Sequence, residues 1–291
     1  MFVATLLTDP ATPRLEGATV EALRNAWGGG AADWLAPDVA AEFPLERMPD
    51  NLWEVWESLQ ALGVDLAVQP AEGRRKRLLV ADMDSTMIGQ ECIDELAAEA
   101  GAGPRVAAIT ARAMNGELDF EGALRERVAL LAGLPEAVID KVLAERITYT
   151  PGGRALIDTM KAHGGHSLLV SGGFTAFAAP IGTHLGFDEV RANALLAEGG
   201  RLTGRVAEPI LGREAKMTAL AEVSARLGLG HDAVVAVGDG ANDLGMLGMA
   251  GMGVALHAKP VVAAQCKVRV NHGDLTALLY LQGYAATDIV A

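Results

Sequence analysis

The feature that most constrains the fold is a short apolar run, residues 78–81, which ends in the two carboxylates Asp82 and Asp84. Four apolar residues without polar alternation are typical of a strand that is buried on both faces of a parallel sheet. Alternate residues of a strand point to opposite faces, so both carboxylates leave the strand on the same side. Ligands of open α/β sheets bind at that edge. The run predicts a nucleophile and a proton shuttle there, although an acidic turn that caps a helix has the same residues.

Two further segments offer groups that suit a phosphate. The apolar residues 167–170 lead into Ser171 and Gly172, a hydroxyl followed by permissive backbone that can cradle an anion. Lys216 begins a segment with helical spacing and can supply a point charge. Taken alone, the Ser171 loop fits an ordinary strand-to-helix turn better than a binding loop.

A third apolar run, residues 233–237, leads into a loop that contains Asp239, Asn242 and Asp243. Their oxygen atoms can hold a hard cation such as Mg²⁺. Several strand-then-loop units in order, all with phosphate or metal chemistry, make coincidence a poor explanation. The pattern indicates an enzyme that acts on a phosphate ester.

At these residues the chain resembles a known family. Residues 82–86, Ser171–Gly172, Lys216 and residues 238–243 are similar to the four motifs of the haloacid dehalogenase superfamily, and the residues around them resemble the phosphoserine phosphatase family. The resemblance covers the chain from residue 78 onward. It implies an α/β fold, a Rossmann-like core with a parallel sheet and an inserted helical cap.

The mechanism that this chemistry favours is a two-step phosphoryl transfer. Asp82 attacks phosphorus and forms an aspartyl phosphate, while Asp84 protonates the leaving alkoxide and later deprotonates the water. Ser171, the Gly172 N–H and Lys216 take the charge on the remaining phosphate oxygens. A dehalogenase lacks the second acid, so Asp84 favours a phosphatase or a phosphotransferase.

The resemblance also implies the cofactor. Mg²⁺ is expected to bind Asp82, Asp239 and the main-chain carbonyl of Asp84, where it offsets the clustered acids. Asn242 is expected to contact the substrate. Asp243 is expected to lie behind these groups and to anchor Lys216 or a metal-bound water.

Two residues of the predicted cap match family positions that hold the amino acid of phosphoserine. Arg127 suits the carboxylate of the substrate, and Glu91 suits its ammonium group. Without the resemblance, Glu91 would be interpreted as a charge at a helix N-terminus and Arg127 as part of a surface ion pair.

The leading hypothesis is therefore a Mg²⁺-dependent hydrolase that converts O-phosphoserine to serine and completes serine synthesis. One alternative passes the phosphoryl group from phosphoserine to another hydroxyl, and another hydrolyses a different small phosphate monoester. A further alternative of another class is an amino-acid-sensing regulatory protein, in which the N-terminal residues are the working part.

The domain organisation follows from changes in pattern along the chain. Residues 1–73 predict a small α+β domain, similar in element order to ligand-binding ACT domains, and residues 74–291 predict the phosphatase domain with a helical cap over about 90–147. The basic stretch 70–77 is best explained as a solvated linker. Within the first domain the spacing predicts strands at 2–7 and 64–68 and helices at 19–27 and 53–62.

Composition limits the partners and the location. A formal net charge of −13 argues against nucleic acid and anionic membranes, since both need a basic surface. Cys92 and Cys266 have neither disulfide nor metal-ligand spacing, which favours a reducing cytoplasm. No signal peptide and no apolar run of about twenty residues is apparent. We expect a cytoplasmic enzyme with a small-molecule substrate, and a homodimer is a possible assembly.

Overall fold

A computed structural model describes residues 1–290, which contain two main sheets. The first sheet and its helices are formed, in chain order, by β1 (Phe2–Leu7), α1 (Gly17–Trp27), β2 (Asp33–Ala36), β3 (Ala40–Leu45), α2 (Leu52–Gln60) and β4 (Asp65–Pro70). All its pairings are antiparallel, in the order β2-β3-β1-β4. This βαββαβ arrangement is ferredoxin-like, so the predicted small α+β unit is confirmed.

Two strands of this unit were not predicted. The strands and helices that the spacing does predict correspond to β1, β4, α1 and α2, and every boundary agrees to within two residues. The missing hairpin, β2 and β3, contains Pro44, which removes a ladder donor and disfavours a strand assignment. In the structure Pro44 lies opposite Val3 of β1.

The second unit begins at residue 78 and is built on a parallel sheet. Its elements are β5 (Leu78–Ala81), α3 (Cys92–Glu99), α4 (Gly103–Met114), α5 (Phe120–Ala129), α6 (Val138–Glu145), α7 (Gly153–Ala162), β6 (His166–Phe174), α8 (Thr175–Leu185), β7 (Glu189–Asn193), β8 (Leu195–Glu198), β9 (Arg201–Val206), α9 (Arg213–Arg226), β10 (Val234–Gly238), α10 (Leu244–Met249), β11 (Met252–Leu256), α11 (Pro260–Ala263), β12 (Val268–Val270) and α12 (Ala277–Leu281). The sheet order is β12-β11-β10-β5-β6-β7, and β8 and β9 form a separate hairpin. The predicted α/β fold with a parallel sheet is confirmed.

The central strands are apolar throughout because both faces of the sheet are covered. Leu79 of β5 packs into one core cluster, whereas Leu78 and Val80 pack into a second cluster on the opposite face. All four residues of β5 and all five of β10 are buried. Helices α3 to α6 follow β5 without an intervening strand and precede α7 and β6.

The basic stretch at residues 70–77 is not simply a solvated linker. Arg74 Nη2 donates to Glu42 Oε1 at 2.7 Å, and the Arg75 guanidinium lies 4.3 Å from the centre of the Tyr284 ring. Lys76 Nζ donates to the Asp232 carbonyl at 2.7 Å. The stretch therefore packs against both units, because its cations find partners on each side.

The two units also meet through Asp65 of β4. Its carboxylate accepts hydrogen bonds from the N–H groups of Asn271, His272 and Gly273, each at 2.9 Å. Three backbone donors satisfied by one buried carboxylate fix β4 beside the end of β12. Among the helices of residues 1–290, none has the length and apolar character needed to cross a membrane.

Candidate active site

The predicted site residues meet at the carboxyl ends of three neighbouring strands. Strand β5 leads to Asp82 and Asp84, its neighbour β6 contains Ser171, and its other neighbour β10 leads to Asp239. Parallel strands present their carboxyl ends at one edge, so residues far apart in sequence converge there. One small cavity at this edge is lined by seven of the predicted residues: Asp82, Asp84, Glu91, Arg127, Ser171, Gly172 and Asn242.

Lys216 lies behind this cavity, between two carboxylates. Its Nζ is 2.6 Å from Asp82 Oδ1 and 2.6 Å from Asp243 Oδ1, and the side chain is fully buried. Burial alone would lower the pKa of Lys216, but the carboxylates of Asp243 and Asp82 raise it above its ordinary value. The lysine is therefore held as a cation against Asp82.

Asp243 also supports the loop before it. Its Oδ2 accepts hydrogen bonds from the main-chain N–H groups of Asp239, at 3.2 Å, and Gly240, at 3.0 Å. Both carboxylate oxygens of Asp243 are thus engaged. The structure brings the Lys216 side chain and the Asp239 loop together through this one residue, as the predicted anchoring role of Asp243 requires.

The acidic groups fit a hard cation. Carboxylate oxygens of Asp82, Asp239 and Asp243 all lie within 4.8 Å of one another. Asp84 Oδ1 is buried and has no hydrogen-bond donor among residues 1–290, whereas Asp239 Oδ2 has the ammonium group of Lys259 at 3.4 Å. Buried carboxylate oxygens without donors are costly unless a cation balances them. Asp243 is the least suited to ligate, since both of its oxygens are occupied.

Burial makes these carboxylic acids weaker than usual. Burial raises the pKa of Asp84 to about 6 and, with the charge of Asp243, raises the pKa of Asp239 to about 7. Burial also raises the pKa of Asp82 well above its ordinary value, although Lys216 opposes the shift. The folded protein therefore holds protons on Asp84 and Asp239 at a pH where the unfolded chain has lost them.

This shift predicts a pH-dependent stability for the metal-free protein. The folded state favours the protonated acids, so their contribution to the free energy of unfolding is complete below about pH 4. This contribution is lost as the pH rises through 6 and 7. Asp239→Asn removes one such acid without changing its size. We compare the Tm of this variant with that of wild type, both in chelator, by calorimetry. From pH 5 to pH 8, we expect the difference in Tm to change in favour of the variant by at least about 3 °C.

The matched control for that experiment is Asp50→Asn, which alters an exposed acid. Its Tm relative to wild type should change little over the same pH range. Mg²⁺ should stabilise wild type more at pH 8 than at pH 5, because protons compete with a bound cation. Equal pH dependence in wild type and Asp239→Asn would contradict the burial of an acid with a raised pKa.

The cap places a cation at the other end of the cavity. Arg127 is 2% exposed, its Nη1 donates to Thr110 Oγ1 at 3.1 Å, and its Nε donates to the Ala123 carbonyl at 3.2 Å. Within the described part of the chain, no carboxylate lies within 4 Å of its guanidinium, so it is not the surface ion pair of the alternative interpretation. Thr110 in turn donates to Asp94 Oδ1 at 2.6 Å.

Glu91 places a half-buried acid at the same cavity. It precedes α3 without capping it through a side-chain hydrogen bond, and its Oε1 accepts from Ser85 Oγ at 2.8 Å. Burial, followed by the charge of Asp84, raises its pKa to about 7. Ser85 itself has a φ of 55°, a left-handed conformation that is uncommon outside glycine and is found at functional loops.

Two contributors to the site were not predicted, and the first is Asn193. Its Nδ2 donates to the carbonyls of Gly172, at 2.9 Å, and Leu211, at 3.1 Å, while its Oδ1 accepts from the Leu211 N–H at 2.6 Å. The side chain thus links the main chain at Gly172 to the segment that leads to Lys216. Asn193 ends β7, a strand that the sequence pattern does not reveal, so no local signal points to its role.

The second is Phe120, the first residue of α5 in the cap. A Cβ atom on Gly172 would lie 2.6 Å from its ring, and one on Gly212 would lie 3.2 Å from it. Glycine at position 172 is therefore required for Phe120 to approach the main chain of β6 this closely. On the other side, a Cβ on Gly240 would lie 2.9 Å from Met114 Sδ of α4.

These contacts leave little free space in the site. The cavity has a volume of about 20 Å³, enough for roughly one water molecule. In the described conformation, Phe120 and Met114 line the cavity and leave it little room.

Comparison with known proteins agrees with this geometry. Residues 79–248 match the model of the haloacid dehalogenase-like hydrolase family. A phosphoserine phosphatase from Streptomyces coelicolor is 48% identical over 233 residues, which cover 79% of this chain and 57% of that protein. The phosphoserine phosphatase of Archaeoglobus fulgidus is 44% identical, with 82% of this chain and 71% of that protein covered.

Among solved structures, a HAD family hydrolase from Salmonella enterica serovar Typhi superposes with a TM-score of 0.85 at 29% identity, covering 97% of this chain and 98% of that one. The likeness thus extends over both sheets. The chain spans only 57% of the length of the Streptomyces coelicolor relative. It belongs to the haloacid dehalogenase-like hydrolase family, among the relatives that are named phosphoserine phosphatase.

Proposed function

We propose that this chain hydrolyses O-phosphoserine to serine and inorganic phosphate through an aspartyl phosphate on Asp82. The observation that carries the proposal is a buried cation, Arg127, and a half-buried acid, Glu91, at the cavity that also contains Asp82. A substrate with a carboxylate, an ammonium group and a phosphate complements all three. The names of the relatives support the same substrate.

In the first step Asp82 attacks phosphorus. Lys216 and the Met83 N–H both contact Oδ1 of Asp82, which leaves Oδ2 available as the nucleophile. A bond forms between Oδ2 and phosphorus as the ester bond breaks, and Asp84 gives its proton to the departing serine oxygen. A pKa of about 6 keeps a usable fraction of Asp84 protonated near neutral pH. Ser171 and the Gly172 N–H donate to the phosphoryl oxygens.

In the second step a water molecule attacks the aspartyl phosphate. Asp84, now a carboxylate, takes the proton of this water, and the bond between phosphorus and Asp82 Oδ2 breaks. Phosphate leaves, and both acids return to their starting states. Asp84 serves as the acid in the first step and as the base in the second. Its pKa, which lies above that of an ordinary carboxyl and below 7, suits both roles.

We propose Mg²⁺ as the cofactor. Asp82, Asp239 and the main-chain carbonyl of Asp84 would hold it, and the carboxylate oxygens that lie within 4.8 Å of one another at Asp82, Asp239 and Asp243 support this assignment. The bound ion would neutralise charge on the phosphate during transfer. Asn242, whose side-chain oxygen is also buried without a donor, would contact the substrate.

The test of this function is phosphate release from matched esters. Phosphoserine should be hydrolysed in Mg²⁺ and not in chelator, and phosphoethanolamine, which lacks the carboxylate, should be a much poorer substrate. Similar rates for both esters would redirect the assignment to small phosphate monoesters in general. Transfer of the phosphoryl group to a competing alcohol, in place of phosphate release, would indicate a phosphotransferase.

Arg127→Ala tests the origin of this selectivity. Losing a buried charge-assisted contact costs about 2 to 5 kcal/mol, so kcat/KM for phosphoserine should fall by roughly 30-fold to several thousandfold. Hydrolysis of phosphoethanolamine should change less than about threefold. The control is Arg125→Ala on the same helix, which removes an exposed arginine paired with Glu121 and Glu208. Equal losses for both esters in Arg127→Ala would assign Arg127 to the fold or the phosphate.

We further propose that residues 90–147 act as the mobile cap of residues 74–291 and that residues 1–73 form an ACT-like domain. The closed cavity under Phe120 supports the first part, and the ferredoxin-like strand order supports the second. A cytoplasmic location and a homodimer stay predictions from the sequence.

A further inference from the structure

A second, larger cavity lies away from the active site, between the two units of the chain. Its volume is about 580 Å³, within the range of roughly 300 to 1,000 Å³ that is usual for small-molecule sites. The first unit contributes Phe2 and Met48, and the second contributes Leu247 and Met252. None of the residues assigned to the proposed reaction lines it.

The charged residues on its wall are mostly basic, in a protein whose formal net charge is −13. The wall contains one acid, Glu72, and four basic residues: Arg74, Lys76, Arg213 and Lys267. Arg74 is paired with Glu42. For Lys76, Arg213 and Lys267, no carboxylate of residues 1–290 lies within 4 Å of the cationic nitrogen.

Lys76 shows that the wall is also partly dehydrated. Burial lowers the pKa of its ammonium group, and the charge of Asp232 opposes this shift only in part. The ammonium group donates to the carbonyls of Gly73 and Asp232. Uncompensated cations beside apolar side chains favour an anion that also has an apolar body. The basic stretch at residues 70–77 thus has a use that a linker does not explain.

We propose that this interdomain cavity binds an organic anion with an apolar body and one anionic group, held between Arg213 and Lys267. Because both units line the cavity, the ligand contacts the N-terminal unit and the hydrolase unit together. The inference does not depend on the proposed reaction. It assigns a small-molecule site to a part of the chain that phosphoryl transfer leaves unused.

The probe is 8-anilinonaphthalene-1-sulfonate, an apolar anion that a phosphatase cannot hydrolyse, titrated into the full chain by calorimetry. We expect saturable binding at one site. Arg213→Gln combined with Lys267→Gln should weaken it at least about tenfold. The control, Arg14→Gln combined with Arg205→Gln, removes the same charge from exposed arginines outside the cavity and should bind as wild type.

A second variant adds a large side chain at the cavity wall without removing charge. Gly248 lies in α10 on the cavity wall, and a Cβ atom there would meet no atom within 4 Å. Leucine also favours a helix more than glycine does, so Gly248→Leu should keep its Tm while losing probe binding at least about tenfold. The neutral analogue N-phenyl-1-naphthylamine should bind wild type at least about tenfold more weakly than the sulfonate. Undiminished sulfonate binding in both the charge variant and Gly248→Leu would overturn the proposal.

Discussion

Asp82→Asn is expected to lower kcat for phosphoserine by roughly 10⁴-fold or more, because the amide cannot form the acyl phosphate through which the proposed reaction passes. The variant should remain folded, since Lys216 keeps its 2.6 Å contact with Asp243. Phosphate release gives the rate, and calorimetry gives the Tm. A loss of activity with a Tm near that of wild type isolates the chemical role of the residue.

The covalent intermediate can be located directly. Quenching wild type during turnover with borohydride reduces an aspartyl phosphate to homoserine, and peptide mass spectrometry should find this change at Asp82 alone. Asp84→Asn is the matched control, because it removes the neighbouring acid and leaves the nucleophile. This variant should still form some intermediate while its turnover falls about a hundredfold or more. A phosphoryl group on Ser85 or Ser171 would refute the assignment.

The parts of the site that could be predicted are those that local pattern determines. A strand buried on both faces has to be apolar, so residues 78–81 and 233–237 are recognisable as strands from their composition. Asp82 and Asp239 directly follow such strands, and Ser171 lies toward the carboxyl end of β6, so the order of residues along the chain is enough to bring the three together at one sheet edge.

The parts that could not be predicted depend on tertiary contact. Asn193 acts by bridging two loops, and nothing in its neighbours along the chain indicates those partners. Phe120 looks like any apolar residue that begins a helix, yet its ring sets the need for Gly172. The burial of Arg127 without an ion pair is likewise a property of the packed cap, since an arginine on a helix is more often exposed.

Asp243 was predicted only in part. Its place in the motif was predicted, but its full set of contacts was not: one oxygen holds Lys216, and the other holds the N–H groups of Asp239 and Gly240. The residue therefore joins the cation that faces Asp82 to the loop that is proposed to hold Mg²⁺. Stability and activity are coupled at this point, and a pair of variants can separate them.

Lys216→Met keeps most of the side-chain volume and removes the cation. The carboxylates of Asp82 and Asp243 are then buried without their counter-charge, which should cost about 3 to 5 kcal/mol in the free energy of unfolding. Activity should also fall by about a hundredfold to a thousandfold, because the variant loses a group that is proposed to balance charge in the transition state. Urea unfolding and kcat measure the two effects separately.

Adding Asp243→Asn to Lys216→Met tests whether these effects have different origins. The second change removes one of the two stranded charges, so part of the lost stability should return, while kcat should stay at the level of Lys216→Met or lower. Recovery of kcat in the double variant would mean that Lys216 only neutralises Asp243 and has no direct part in catalysis. If the double variant were instead no more stable than Lys216→Met, the cost would come from packing around the methionine and not from buried charge. If stability returns while kcat stays low, the loss of rate comes from losing the 2.6 Å contact between Lys216 and Asp82.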